Sequence, residues 1–146
     1  MKVKTNLSQL YETDEYLWFE YTVKLLKESR FDELDLENLI EELEELGNEK
    51  KRAIESLLEQ IIRHILLLEY WTEEFEHNSN NWRAEVYSFR NQIEKRLTTN
   101  LRKYLAEERL KIYHRALGYV QRKTGFQVNF PEECPYSLDE LLEIDD

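Results

Sequence analysis

Between Leu36 and Leu68 apolar side chains recur three and four residues apart: Leu36, Leu39, Ile40, Leu43 and Leu46, then Ile54, Leu57, Leu58, Ile61, Ile62, Ile65 and Leu68. On a helix of 3.6 residues per turn these positions share one face, so the segment predicts an amphipathic helix over about 36–70 with its stripe turned inward. Gly47 interrupts the series. A glycine in a helix interior costs about 1 kcal/mol relative to alanine, and it could instead close a shorter helix in the left-handed conformation. The stripe resumes in phase beyond Gly47 without a proline or a turn dipeptide, which favours one long helix. Such a helix buries its face most simply against other helices.

The flanking segments supply those helices. Thr13 is a candidate N-cap, followed by Asp14 and Glu15, which suit the positive end of a helix. Apolar Leu17, Trp18, Tyr21 and Leu25 carry that helix to about Ser29, and Asp35 is placed to cap the long one. His77–Asn81 reads as a polar break before a third helix from Trp82 to about Leu97. Thr98, Thr99 and Asn100 then cap a fourth helix from Leu101 to about Lys123, closed by Thr124 and Gly125. Phe126–Tyr136 holds both prolines and predicts an extended segment. Ser137 and Glu140 form a capping box for a short last helix. The expected fold is all-α: an antiparallel bundle of four main helices plus a short C-terminal one. One domain is expected over 1–146, with a flexible start over 1–10 and the C-terminal extended segment and short helix over 125–146.

Composition sets limits on this picture. With 146 residues there is room for one domain rather than two. Eighteen aromatic residues argue against a disordered chain, and three Gly with two Pro argue against a turn-rich β-sandwich. No apolar run approaches the roughly 18 residues that span a bilayer, so no membrane association is expected. Met1–Lys4 is basic but is followed by polar Thr5–Gln9 rather than a secretory apolar core. The single Cys134 cannot form an internal disulfide, which makes a reducing cytoplasm the expected compartment.

Charge is unevenly distributed. Residues 32–76 hold 15 acids against four bases, whereas residues 82–123 hold four acids against 11 bases. The first 31 residues balance, and residues 124–146 carry seven acids and no base. Acidic and basic stretches of one chain attract each other on packing, which is the simplest account. The alternative is a phosphate-binding surface on the basic half, with Tyr87, Phe89, Tyr104, Tyr113 and Tyr119 available for stacking. The net charge of −11 repels polyanions at long range, so a protein partner with basic surfaces is favoured over nucleic acid.

Few residues suggest chemistry. His64 stands on the apolar stripe, where a buried imidazole needs hydrogen-bond partners from a neighbouring tyrosine or glutamine, or serves as a metal ligand or proton-transfer group. Ile61 precedes it by three, so the Glu-x-x-His pair of dimetal bundles is absent there. The Glu74/His77 pair has that spacing at a polar helix end and is a common accident. Glu41, Glu42, Glu44 and Glu45 read as a solvated face. Arg109 and His114 resemble the Arg-x4-His signature of the small helical ribonuclease superfamily. Leu110 follows the arginine where members carry a polar residue, and five helical steps set the two side chains about 140° apart. Trp82, Arg83 and Arg90 either pack and pair with the long helix or form a binding hot spot. Cys134, between Glu133 and Pro135, has no cation beside it in sequence to stabilise a thiolate.

Taken in order, these residues resemble the family known as domain of unknown function 29, bacterial and mainly cyanobacterial. The likeness rests on Asp35-Leu36-Glu37-Asn38-Leu39-Ile40-Glu41-Glu42, Leu46-Gly47, His64, Tyr70-Trp71, Trp82-Arg83, Arg90, Gln92-Ile93 and Cys134-Pro135-Tyr136. It covers about Tyr11 to Leu142, with Thr72 standing where members often have proline. The resemblance implies an all-helical fold and no inherited activity. The expectation is a small acidic protein-binding or regulatory module, with His64, Trp82, Arg83 and Arg90 as candidate binding residues and with no catalytic residue, metal or cofactor. Homo-oligomerisation is compatible with it. The alternatives are an enzyme acting on RNA or a nucleotide through Arg109 and His114, and a metal-dependent bundle enzyme around His64.

Overall fold

The computed structural model describes residues 6–143. Six α-helices and no strand occur among them: α1 (Asn6–Thr13), α2 (Glu15–Lys27), α3 (Leu36–Tyr70), α4 (Phe75–Arg96), α5 (Thr99–Lys123) and α6 (Leu138–Leu142). The all-α expectation holds, and α3 runs unbroken through Gly47 over the expected 35 residues. The chain divides into two compact units, residues 1–49 and 50–146, with α3 contributing its first turns to one and the remainder to the other.

In the first unit, the start of α2 falls one residue later than expected. Asp14 is the cap, its carboxylate accepting from the Leu17 amide, while the Thr13 hydroxyl donates back to the Gln9 carbonyl within α1. Of the flexible start expected over 1–10, residues 1–5 lie outside the described residues, and Asn6 onward is helical. Helix α2 closes on Ser29, a non-glycine residue at φ 56°, with the Arg30 amide donating to the Leu25 carbonyl. That is the six-to-one bond by which a left-handed residue ends a helix. Trp18 is fully buried, and its indole N–H donates to Asp35 Oδ2 at 3.1 Å. The same carboxylate accepts from Asn38 Nδ2 at 2.7 Å, so Asp35 ties α2 to the first turn of α3.

The second unit holds the main core. Ile54, Leu58, Ile61 and Ile62 of α3 are buried with Val86 and Ile93 of α4 and with Leu105, Ile112, Ala116 and Val120 of α5. Helix α4 begins at Phe75, seven residues before the expected start, and the expected break at His77–Asn81 is helical. Asn and Ser are poor helix formers, but Ser79 and Trp82 are buried here and Asn78 donates to Glu74 one turn back, so packing overrides propensity. Thr98 caps α5 through the Leu101 amide, Gly125 takes φ 64°, and Ser137 with Glu140 forms the capping box of α6.

Candidate functional site

The basic half of the second unit is committed largely to holding the C-terminal segment. Arg90 donates to the carbonyls of Leu141 and Glu140 at 2.9 and 3.0 Å, at the last turn of α6. Arg109 donates to the Tyr136 carbonyl, Arg102 pairs with Asp139, and the Tyr113 hydroxyl donates to the Pro131 carbonyl. Elsewhere the acidic and basic stretches pair as charge alone suggests: Arg115 spans Glu55 and Glu59 of α3 at 3.1 and 2.9 Å. The two carboxylates hold the Arg115 guanidinium further above its ordinary range. Tyr104 donates to Glu55, which pushes its hydroxyl up to about 12.

The four candidate binding residues fall in three settings. His64 is half-buried, not fully inward, and its Nδ1 lies 2.7 Å from the Gln60 carbonyl of its own helix, so that nitrogen carries the proton. The expected partner from a neighbouring helix is thus replaced by the carbonyl one turn back, with Phe89 against the ring. Trp82 is buried and stacked on Trp71, centroids 5.9 Å apart. Arg83 is exposed and lies over the Phe75 ring, and Arg90 holds α6 through the carbonyls of Glu140 and Leu141. Arg83 and Arg90 do line one groove of about 530 Å³ with Ile65, Leu68, Tyr87 and Tyr136. At its wall the Tyr136 hydroxyl donates to Glu69 at 2.7 Å, and burial together with that carboxylate drives the phenol far above its ordinary value.

Of the alternative centres, Arg109 is occupied by the Tyr136 carbonyl while His114 is exposed beside Tyr113. Among the described residues no group of three or more His, Cys, Asp or Glu is placed to hold a metal. Cys134 is half-buried, its thiol 3.3 Å from the Tyr136 carbonyl.

The first unit presents a different surface. Among the described residues, ten of the 14 exposed large apolar side chains lie in it, so the uncovered apolar area is concentrated before Glu49. The stripe of α3, expected to face inward over most of its length, is buried or half-buried from Ile54 onward but exposed at Leu36, Ile40, Leu43 and Leu46. Nothing in the periodicity distinguishes the two halves, because burial depends on what packs against the face. Helix α2 also exposes Tyr16, Phe19, Val23 and Leu26, with the Phe19 ring edge-on to Trp18. Leu7, Leu10, Leu17, Tyr21 and Leu25 line a groove of about 570 Å³, with Asp32 and Glu33 at its edge. Arg30 on Glu33 holds that carboxyl below its ordinary value. Tyr11 donates to Glu42 at 2.7 Å and is pushed up to about 12 by that bond.

The molecule is therefore an all-α protein of two helical units, one with a closed core and one with an acidic, apolar face uncovered. No helix among the described residues is long and apolar enough to cross a membrane. A family model, Domain of unknown function DUF29, matches residues 10–145, and the chain belongs to that family. Comparison with curated proteins and with solved structures gave no match.

Proposed function

We propose that this chain is a protein-binding, regulatory module that engages another protein through its first unit. The observation that carries this reading is the exposure of Leu36, Ile40, Leu43 and Leu46 in a helix segment rich in carboxylates. Contiguous apolar surface rimmed by charge is the usual mark of a protein interface. Arg83, with Arg90 and Tyr87 at the groove of the second unit, is a second contact region, with buried Trp82 and half-buried His64 on the same two helices, α4 and α3. A reducing cytoplasm suits the lone thiol of Cys134. The occupation of Arg109 by a backbone carbonyl weighs against the ribonuclease-like alternative. The test is purification of the tagged chain from its native host at low salt, with mass spectrometry and the 260/280 nm absorbance ratio read on the eluate. A stoichiometric protein partner is expected; RNA without a protein partner, or the chain alone, would refute the reading.

A further inference from the structure

Residues 36–49 follow a seven-residue pattern in which Leu36 and Leu43 take one apolar position, Leu39 and Leu46 the next, and Ile40 widens the seam. Ten helical steps from Leu36 to Leu46 give a strip about 15 Å long, and the five side chains spread over about 120° of the helix. Leu36, Ile40, Leu43 and Leu46 are about half exposed, at 50%, 54%, 59% and 49%. Glu37 and Glu44 stand on one side of this strip; Glu42 and Glu49 stand on the other, with Glu42 bonded to Tyr11. From Asp32 to Glu49 there are nine acids and no base.

That charge selects the occupant. A second copy of the chain would bring Glu37, Glu42, Glu44 and Glu49 against the same four carboxylates along a desolvated seam, and like charges brought together in that way oppose pairing. A helix with leucines on its seam and lysines or arginines beside them would cover the apolar strip and place cations against Glu37, Glu44 and Glu49. We infer that the strip from Leu36 to Leu46 is the docking site for a basic amphipathic helix of a partner protein. Three turns of partner helix, about 11 residues, match its length. The inference rests on the protein-binding reading above and adds where on the chain the partner sits and what chemistry it brings.

The probe is a labelled, amidated 14-residue peptide with leucine at the two seam positions of each heptad and lysine on its flanks, titrated with the full chain by fluorescence anisotropy. Binding with a gain of helical circular dichroism is expected. The Ile40→Ser/Leu43→Ser double variant keeps every charge and is expected to weaken binding at least tenfold without loss of thermal stability, because both side chains are exposed. Glu37→Gln/Glu44→Gln is expected to weaken binding and flatten its salt dependence. Equal binding by the double serine variant would reduce the effect to charge attraction and overturn the inference, as would preference for a peptide flanked by glutamates. Sedimentation equilibrium gives an independent check: a dimer of the native chain that Leu43→Ser dissociates would make the occupant a second copy. A host partner retained by the double serine variant would refute this site and leave the protein-binding reading standing. Absence of any protein partner would refute that reading first.

Discussion

Replacing Gly47 by alanine tests the continuity of α3 by the sign of its effect. Gly47 lies inside α3, is exposed, and is not in the left-handed region; a Cβ built there meets no atom within 4 Å. The substitution therefore adds no clash and removes the entropic penalty of glycine in a helix, a gain of about 0.5–1 kcal/mol. For a chain of this size that corresponds to a rise in Tm of roughly 1–4 °C, larger if the first unit unfolds by itself. Gly125 provides the opposite case. Its φ is 64°, so Gly125→Ala forces a side chain into the left-handed region at a cost of about 1–2 kcal/mol, although space around it is open. Urea unfolding followed by circular dichroism at 222 nm measures both, with an unchanged slope confirming that the effect is on stability. A loss of stability for Gly47→Ala would mean that Gly47 closes a shorter helix, and the 35-residue α3 would be wrong.

Other perturbations address single contacts. Tyr113 is fully buried and burial first of all pushes its hydroxyl up to about 12, so the folded state holds a proton that the unfolded state releases near 10. Its contribution is complete below pH 10 and is lost as pH rises toward 12, about 3 kcal/mol in all; Tyr113→Phe should make urea stability fall less steeply between pH 9 and 11.5, and an unchanged slope would refute this. Trp18→Phe removes a buried indole and its bond to Asp35, at about 2–3 kcal/mol; hydrogen exchange should accelerate in α1 and α2 more than in α5, and equal acceleration would contradict the division into two units. Arg90→Met leaves the last carbonyls of α6 without their donor and should cost about 1–3 kcal/mol, with exchange rising first around buried Leu141; protection there equal to the native chain would refute the tether.

Helix existence was legible because it depends on local periodicity. The stripe of α3, the left-handed Gly125 and the Ser137/Glu140 box are all visible in side-chain spacing, and all are present. At Arg90, Arg109 and His64, what escaped has backbone on one side of the contact. Arg90 and Arg109 bind carbonyls, and His64 binds the carbonyl of Gln60; every residue carries a carbonyl, so no residue type advertises these partners. The only hint was the absence of bases from residues 124–146, which marks that stretch as attractive to arginines without saying which ones. The early start of α4 escaped for another reason: His77–Asn81 has weak local preference, and the burial of Ser79 and Trp82 decides it.

The first turns of α3 combine two features that do little for the chain alone. Leucines half exposed on one face contribute little burial, and Glu37, Glu41, Glu45 and Glu49 form a column of like charges one turn apart, each pair opposing the helix by about 0.2–0.5 kcal/mol. A basic amphipathic helix would cover the leucines and set cations beside Glu37 and Glu49, the two ends of that column. The electrostatic half of this argument is separable, because Glu41 is exposed and points about 160° away from the centre of the apolar strip. Glu41→Lys converts the repulsions with Glu37 and Glu45 into attractions and should stabilise the first unit by about 1 kcal/mol. The lysine peptide should still bind this variant within about threefold, since the strip and its nearest flanking carboxylates are intact. Stabilisation with tenfold weaker binding would place the partner on the acidic column itself, and α3 would then be read through charge rather than through Leu36, Ile40, Leu43 and Leu46.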